Sequence, residues 1–276
     1  MKITVLGANG MAGHVVASYL RQQGHEVDAV DRTRLDIENP ISVMAFFDQL
    51  ETDFVVNCIG LLVQPCIQRP DRASVINSWF PHYIEYCLKD TAIRLVHLST
   101  DCVFDGATGR YMETDAHTEM NAYGRSKSLG EVNNNKDITF RMSIIGPELK
   151  NGTGLLDWVR KNSEQTIPGW DNAWWNGITT LQLAKCIDRY VRNPTITGVY
   201  HVVSNSVSIN KYELLCLINE VYELDKTIVR TSGPKDVNKI LVDTRHKFDF
   251  GIPDYRTQLT ELRAFNPVSH VSPTTT

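Results

Sequence analysis

The chain has 276 residues, 42% of them apolar and 22% charged, enough to bury a substantial core as one large domain or two small ones; disorder is not its default. With 28 basic against 32 acidic residues the formal net charge is -4, so no overall basic field draws in nucleic acid or an acidic membrane surface, and small-molecule chemistry fits better. Six cysteines scattered without a C-x-x-C pair argue against a zinc site or a disulfide framework and predict reduced thiols in a cytosol.

Met1 and Lys2 lead straight into a short apolar run with no small-residue cleavage site, and no later segment has the length of a membrane-spanning helix, so a soluble, cytoplasmic protein without a membrane partner is expected. That first run, ITVLG, reads as a strand. Met11, Val15, Val16, Tyr19 and Leu20 then recur at helical spacing up to Gln23, and EVDAV gives a second strand ending at Asp31. Strand, tight turn, helix and strand make a βαβ unit whose turn carries Gly7, Gly10 and Gly13. Glycine there permits the turn, lets backbone N–H groups approach a pyrophosphate, and allows close packing of helix on strand. The spacing G-x-x-G-x-x-G is weak evidence alone, since glycine also caps ordinary helices, but the flanking strands favour a dinucleotide. Asp31 at the strand end can accept hydrogen bonds from the adenosine ribose of NAD, whereas the adjacent Arg32 could pair with the 2′-phosphate of NADP. This dipeptide leaves the choice open.

Helical stretches follow near Ile41–Gln49 and over Ala73–Leu88, alternating with the apolar runs DFVVNCIG and IRLVHLST. Such alternation predicts an α/β fold, a doubly wound parallel sheet with its ligand outside the carboxyl ends of the strands, lined by Asn57–Gly60 and Ser99–Asp101. From Glu148 the pattern loosens into polar and glycine-containing segments, IPGWDNAWWNGITT, a helix near Leu181–Tyr190 and a strand GVYHVVS. The expected division is a dinucleotide-binding part over 1–147, its sheet completed by about 178–204, a smaller interleaved substrate-binding part over 148–267, and a loose tail over 268–276.

Chemistry concentrates in LSTDCVFDG, with Ser99, Thr100 and Asp101, and in NAYGRSKSLGE, with Tyr123 and Lys127. On a helix the latter two side chains share a face, and an ammonium beside a phenol favours the phenolate, lowering its pKa from about 10 toward a range useful near neutrality. Tyr-x-x-x-Lys alone is a common accident of solvated helix faces; here it gains weight from the hydroxyl of Thr100, the glycine turn and the acidic strand end. Trp170, Trp174 and Trp175 could stack on a sugar or nucleobase or equally form a packed corner. His97 reads as a core residue, and Arg141 as half of a structural salt bridge. The histidines form no ligand cluster, so no metal is expected.

The pieces GANGMAG, DRTRLDI, VVNCIG, STDxVFDG, YGxSKxxGE and FRMSIIGPE make the chain similar to the extended short-chain dehydrogenases/reductases, and within them to the dTDP-4-dehydrorhamnose reductases. The resemblance covers most of the first 150 residues and loosens afterwards, where Ile178 stands in place of a frequent proline. It implies a Rossmann fold, NADPH or NADH as cofactor, and Thr100, Tyr123 and Lys127 as the catalytic trio. Cofactor contacts would come from Gly7, Asn9, Gly10, Met11, Gly13, Asp31, Arg32, Asp36, Ile37, Cys58, Ile59, Gly60, Tyr123 and Lys127, and substrate contacts from Thr100, Asp101, Tyr123 and Trp175. The implied reaction reduces the C4 ketone of a nucleotide-linked 4-keto-6-deoxyhexose for surface polysaccharide. Two other readings stand beside it: a nucleotide-sugar epimerase or dehydratase using bound NAD, and a regulatory subunit like the beta subunit of methionine adenosyltransferase. A homodimer is the usual prior for a soluble enzyme.

Overall fold

The computed structural model describes residues 1–150, 152–203 and 208–265; the expected tail over 268–276 lies outside them. Its centre is a six-stranded, all-parallel sheet formed by β1 (Lys2–Leu6), β2 (Glu26–Val30), β3 (Phe54–Asn57), β4 (Arg94–Thr100), β5 (Ile138–Met142) and, far along the chain, β10 (Gly198–His201), in the order β10-β5-β4-β3-β1-β2. Parallel strands are covered on both faces and therefore read as unbroken apolar runs: Ile3, Val5, Leu6, Val55, Val56, Leu95, Val96, Ile138 and Phe140 are all inaccessible or nearly so.

Helices α1 (Gly13–Gln22), α2 (Pro40–Asp48), α3 (Val63–Gln68), α4 (Pro70–Ala73), α5 (Phe80–Leu88) and α6 (Ala122–Leu129) connect the first five strands. One continuous helix is expected over 73–88, yet the chain makes a π-helical turn over Ser74–Trp79 between α4 and α5. Pro81 explains the interruption, because it has no N–H to return to the Asn77 carbonyl four residues earlier. Gly130 packs against that carbonyl, and any Cβ there would collide with it.

The second half leaves the sheet and returns. After β6 (Ile144–Ile145) and α7 (Leu155–Lys161), β7 (Thr166–Trp170) later pairs with β12 (Thr227–Thr231); β8 (Ala173–Trp175) lies between β11 (Ile209–Asn210) and β13 (Val237–Asn238); and β9 (Ile178–Thr179) pairs back to β6. Helix α8 (Thr180–Arg192) buries Leu181, Leu183, Ala184, Ile187, Tyr190 and Val191, packs against α1, and delivers the chain to β10. Helices α9 (Lys211–Tyr222) and α10 (Tyr255–Ala264) close the fold, α9 starting in a capping box between Asn210 and Glu213.

Strand order reverses at β1 and β3: from β1 the chain winds to β2 on one side, then crosses to β3 on the other. At such a switch point the loops beyond the carboxyl ends part and leave a crevice. The residues beyond β1, β3 and β4 are Gly7, Cys58 and Asp101, so the topology alone gathers the glycine turn, the Cys58–Gly60 segment and the Thr100 region at one edge.

Candidate active site

Gly7 adopts φ +76°, a left-handed conformation suited to glycine, and a Cβ there would press on Ile59 Cγ1 at 3.0 Å and on the Cys58–Ile59 peptide at 3.1 Å. Gly13 packs so closely on the Gly7 carbonyl that any side chain would drive into it. The N–H groups of Gly7 and Ala8 donate to the Val30 carbonyl at 2.9 and 3.0 Å, and Gly10 N–H donates to the Gly7 carbonyl at 2.9 Å, folding the turn over the end of β2. Ala12 begins α1 without a capping side chain. A helix start of this kind, reached through a turn with glycine at 7 and 10, fits the pyrophosphate of a dinucleotide. Met11 reaches across to Gly154, so the segment before α7 lies beside the turn.

At the end of β2 the Asp31 carboxylate accepts from Thr33 N–H (2.9 Å), Thr33 Oγ1 (2.6 Å) and Asn9 Nδ2 (2.8 Å), and the Thr33 hydroxyl foremost holds it below the usual carboxylate range. Asn9 thus links the glycine turn to the end of β2. Arg32 is exposed beside it, while Arg34 pairs with Asp28 and Arg72 with Glu38. Asp36 is exposed and accepts from Glu38 N–H at 3.0 Å, and Ile37 packs against the cluster around Leu35 and Val43. On the β3 side, Ile59 N–H donates to Asn57 Oδ1 at 3.1 Å, and Gly60 lies near the Asn77 side chain.

Thr100 ends β4 and caps the 3-10 turn Asp101–Val103: its Oγ1 accepts from Cys102 N–H at 3.1 Å and donates to Asp101 Oδ1 at 3.2 Å. Asn121 caps α6 by accepting Gly124 N–H at 2.8 Å, and Gly124 lets the helix lie on the Cys102 carbonyl and the Glu119 side chain, with no room for a Cβ. This approach brings the half-buried Tyr123 close enough for the Thr100 hydroxyl to favour its charged form, and sends Lys127 Nζ to the Leu98 carbonyl at 2.6 Å. Asn77, in the π-helical turn, donates from Nδ2 to Ser126 Oγ at 3.1 Å and fixes the other side of α6.

Burial drives the electrostatics. It pushes the Tyr123 phenol well above its ordinary value, Cys102 adding to the effect and Thr100 opposing it. The expected depression of the phenol by Lys127 is therefore corrected: the ammonium donates to Leu98, and the loss of solvation decides the direction. Tyr123 is held as a neutral acid. Burial likewise pulls Lys127 down to about 8, Glu131 opposing, and pushes the thiols of Cys58 and Cys102 up to about 12.

The second half contributes a residue that no sequence pattern marks. Lys239, just past β13, is mostly buried, and its Nζ lies 3.8 Å from Glu119 Oε2. Burial alone would lower this ammonium, but Cys102, Asp101 and Glu119 together raise it. The buried Asp101 carboxyl is raised by its burial, with Lys239 as the main opposing influence. Trp175 stacks on Tyr255 with ring centroids 5.6 Å apart, a packing contact, whereas Trp170 and Trp174 keep part of their faces open and Lys211 Nζ lies 4.4 Å from the Trp170 ring centre.

A family model described as the RmlD substrate binding domain matches residues 1–247. The spore coat polysaccharide biosynthesis protein SpsK of Bacillus subtilis is 31% identical over 248 residues, covering 86% of this chain and 85% of the relative. A dTDP-4-keto-6-deoxy-D-glucose reductase of Streptomyces niveus is 31% identical over 207 residues, 72% of each. Among solved structures, the dTDP-4-dehydrorhamnose reductase of Bacillus anthracis in complex with NADP superimposes with a TM-score of 0.83 at 20% identity, over 95% of this chain and 98% of that one, a likeness of fold. A parallel sheet whose switch point carries a glycine-rich turn, a Thr-Tyr-Lys cluster at the end of β4, and a family model spanning both halves lead to one assignment: the chain belongs to the RmlD family of extended short-chain dehydrogenases/reductases.

Proposed function

We propose that the protein reduces, with NADPH or NADH, the C4 ketone of a nucleotide-linked 4-keto-6-deoxyhexose, on the way to a surface polysaccharide. The observation that carries this reading is the meeting of Thr100, Tyr123 and Lys127 at the end of β4, beside a turn shaped for a dinucleotide. A reduced nicotinamide, when bound, supplies the hydride. Tyr123 carries the proton that the ketone oxygen needs, and a phenol kept protonated by burial delivers it as an acid at neutral pH. Thr100 directs its hydroxyl at the same oxygen, and Lys127, an ammonium below pH about 8, orients the nicotinamide ribose. Asp101 takes a sugar hydroxyl in this reading. Gly7, Asn9, Gly10, Met11 and Gly13 surround the pyrophosphate; Asp31, Arg32, Asp36 and Ile37 serve the adenosine end; Cys58, Ile59 and Gly60 run along the cofactor. The division of labour is a cofactor part over 1–147 and a mainly substrate-binding part over 148–267, with Trp170 and Trp174 offering more open aromatic face than Trp175.

The test is oxidation of NADPH and NADH, followed at the nicotinamide absorbance, against dTDP-, UDP- and GDP-linked 4-keto-6-deoxyhexoses. Stoichiometric consumption of reduced cofactor with one of them is the expected result. Epimerisation without net consumption, or cofactor binding with silence across the panel, would replace this reading with the epimerase or the regulatory subunit.

A further inference from the structure

Behind the Thr-Tyr-Lys cluster lies a buried charged network that the reaction as described does not use. Ser99, Arg141 and His201 stand in one register row across β4, β5 and β10. Glu131, just past α6, joins the first two: its Oε1 accepts from Ser99 Oγ at 2.5 Å and Arg141 Nε at 2.8 Å, and its Oε2 accepts from Arg141 Nη2 at 2.6 Å. Arg141 is braced by two imidazoles, donating from Nη1 to His201 Nε2 and from Nη2 to His117 Nε2, each at 2.9 Å. Both rings are neutral acceptors in this arrangement, because His201 Nδ1 turns to the Val242 carbonyl (2.9 Å) and His117 Nδ1 to Ser128 Oγ (2.5 Å). The guanidinium is almost wholly inaccessible, and a bidentate Arg–carboxylate pair in such surroundings has one geometry.

The position of this network gives it a role. Lys127 holds the Leu98 carbonyl and Glu131, four residues later, holds the Ser99 hydroxyl, so successive residues of β4 are gripped immediately before Thr100. We propose that Glu131, fixed by Arg141, is a positioning residue for the reduction: it locks the β4 end that presents Thr100 to Tyr123, with its carboxylate on the side of Lys127. The inference deepens the reductase reading and rests on it for its meaning. Lys127 is faced by Glu131, by Cys66 of α3, by Cys58 after β3 and by His97 of β4. The charges of α4 are engaged elsewhere, Arg72 with Glu38 and Asp71 with Arg69, and Asp101 in the 3-10 turn faces Lys239. Glu131 is thus the carboxylate that faces Lys127 here, and burial does not neutralise it, because the Arg141 bonds outweigh the cost and hold it below the ordinary range.

The test is a 13C-lysine NMR titration of the full chain without substrate, comparing wild type with Glu131→Gln. Loss of the facing charge should move the Lys127 midpoint from about 8 to lower pH by ~0.5 to 1 unit, with the alkaline limb of the kcat profile moving the same way and Glu131→Asp restoring part of the shift. An unmoved Lys127 midpoint overturns the proposal. Because that midpoint is read without turnover, it stands or falls apart from the choice of substrate. Should Glu131→Gln fail to fold, Ser99→Ala removes the grip on β4 and leaves every charge in place; kcat should fall about 3- to 10-fold with the KM for NADPH unchanged, and a wild-type kcat would overturn the proposal.

Discussion

The half of the chain that ends at Met142 and the half that follows solve different problems. In the first, most candidate site residues sit where a parallel strand gives way to a turn, so backbone geometry places them, Gly7 after β1, Asp31 after β2, Cys58 after β3 and Thr100 at the end of β4, while Tyr123 and Lys127 stand on α6. In the second, the strands outside the main sheet are two to five residues long and make small two- and three-stranded sheets, and what reaches the site does so as individual long side chains such as Lys239. On the reading proposed above, the chemistry falls to the part built on the large sheet, and recognition to the part whose side chains change at little cost to the fold.

Substitutions should divide along that line. The largest effect is expected from Gly13→Val, whose side chain would strike the Gly7 carbonyl. It should destabilise the first half by at least ~3 kcal/mol and abolish NADPH binding in a fluorescence titration. Tyr123→Phe should lower kcat by about two to four orders of magnitude while NADPH still binds, and a fully active variant would remove Tyr123 from the chemistry. Lys239→Met tests the second half. Asp101 loses its facing cation and rises further, so the acid limb of the kcat profile should move to higher pH and kcat near neutrality should fall about tenfold, with Lys239→Arg recovering most of it. Asn210→Ala should cost only about 1 kcal/mol in a denaturant melt through the lost cap of α9, with turnover nearly unchanged. Were Lys239→Met as damaging as Tyr123→Phe, the contrast between the halves would fail.

The first half was legible because its signals are local. A β-branched run followed by glycines and then a 3.6-residue period has few alternative foldings, and the ends of α1, β2, β4 and α8 fall within a residue or two of where the pattern puts them. The break in the helix over 73–88 was less plain: Pro81 is visible, but proline is also at home in a first helical turn, and the packing of Gly130 on the Asn77 carbonyl shows only in the folded chain. Helices α9 and α10 went unread although each begins with a capping residue, Asn210 with Glu213 three places on and Asp254 ahead of Thr257. Of the site, Thr100, Tyr123 and Lys127 follow from motif and spacing. Lys239 and the direction of the Tyr123 pKa do not, since both depend on what is buried against what.

The cysteines carry a last consequence. With Cys58 and Cys102 held at about 12, only roughly one thiol in a hundred thousand is ionised at neutral pH, and Cys66 is displaced in the same direction. The substrate proposed for this cleft is an electrophile, a ketone that a thiolate would attack. With their charge denied by burial, these sulfurs would be poor nucleophiles toward the proposed ketone, and slow reaction of the native protein with an alkylating agent at neutral pH is the expected outcome.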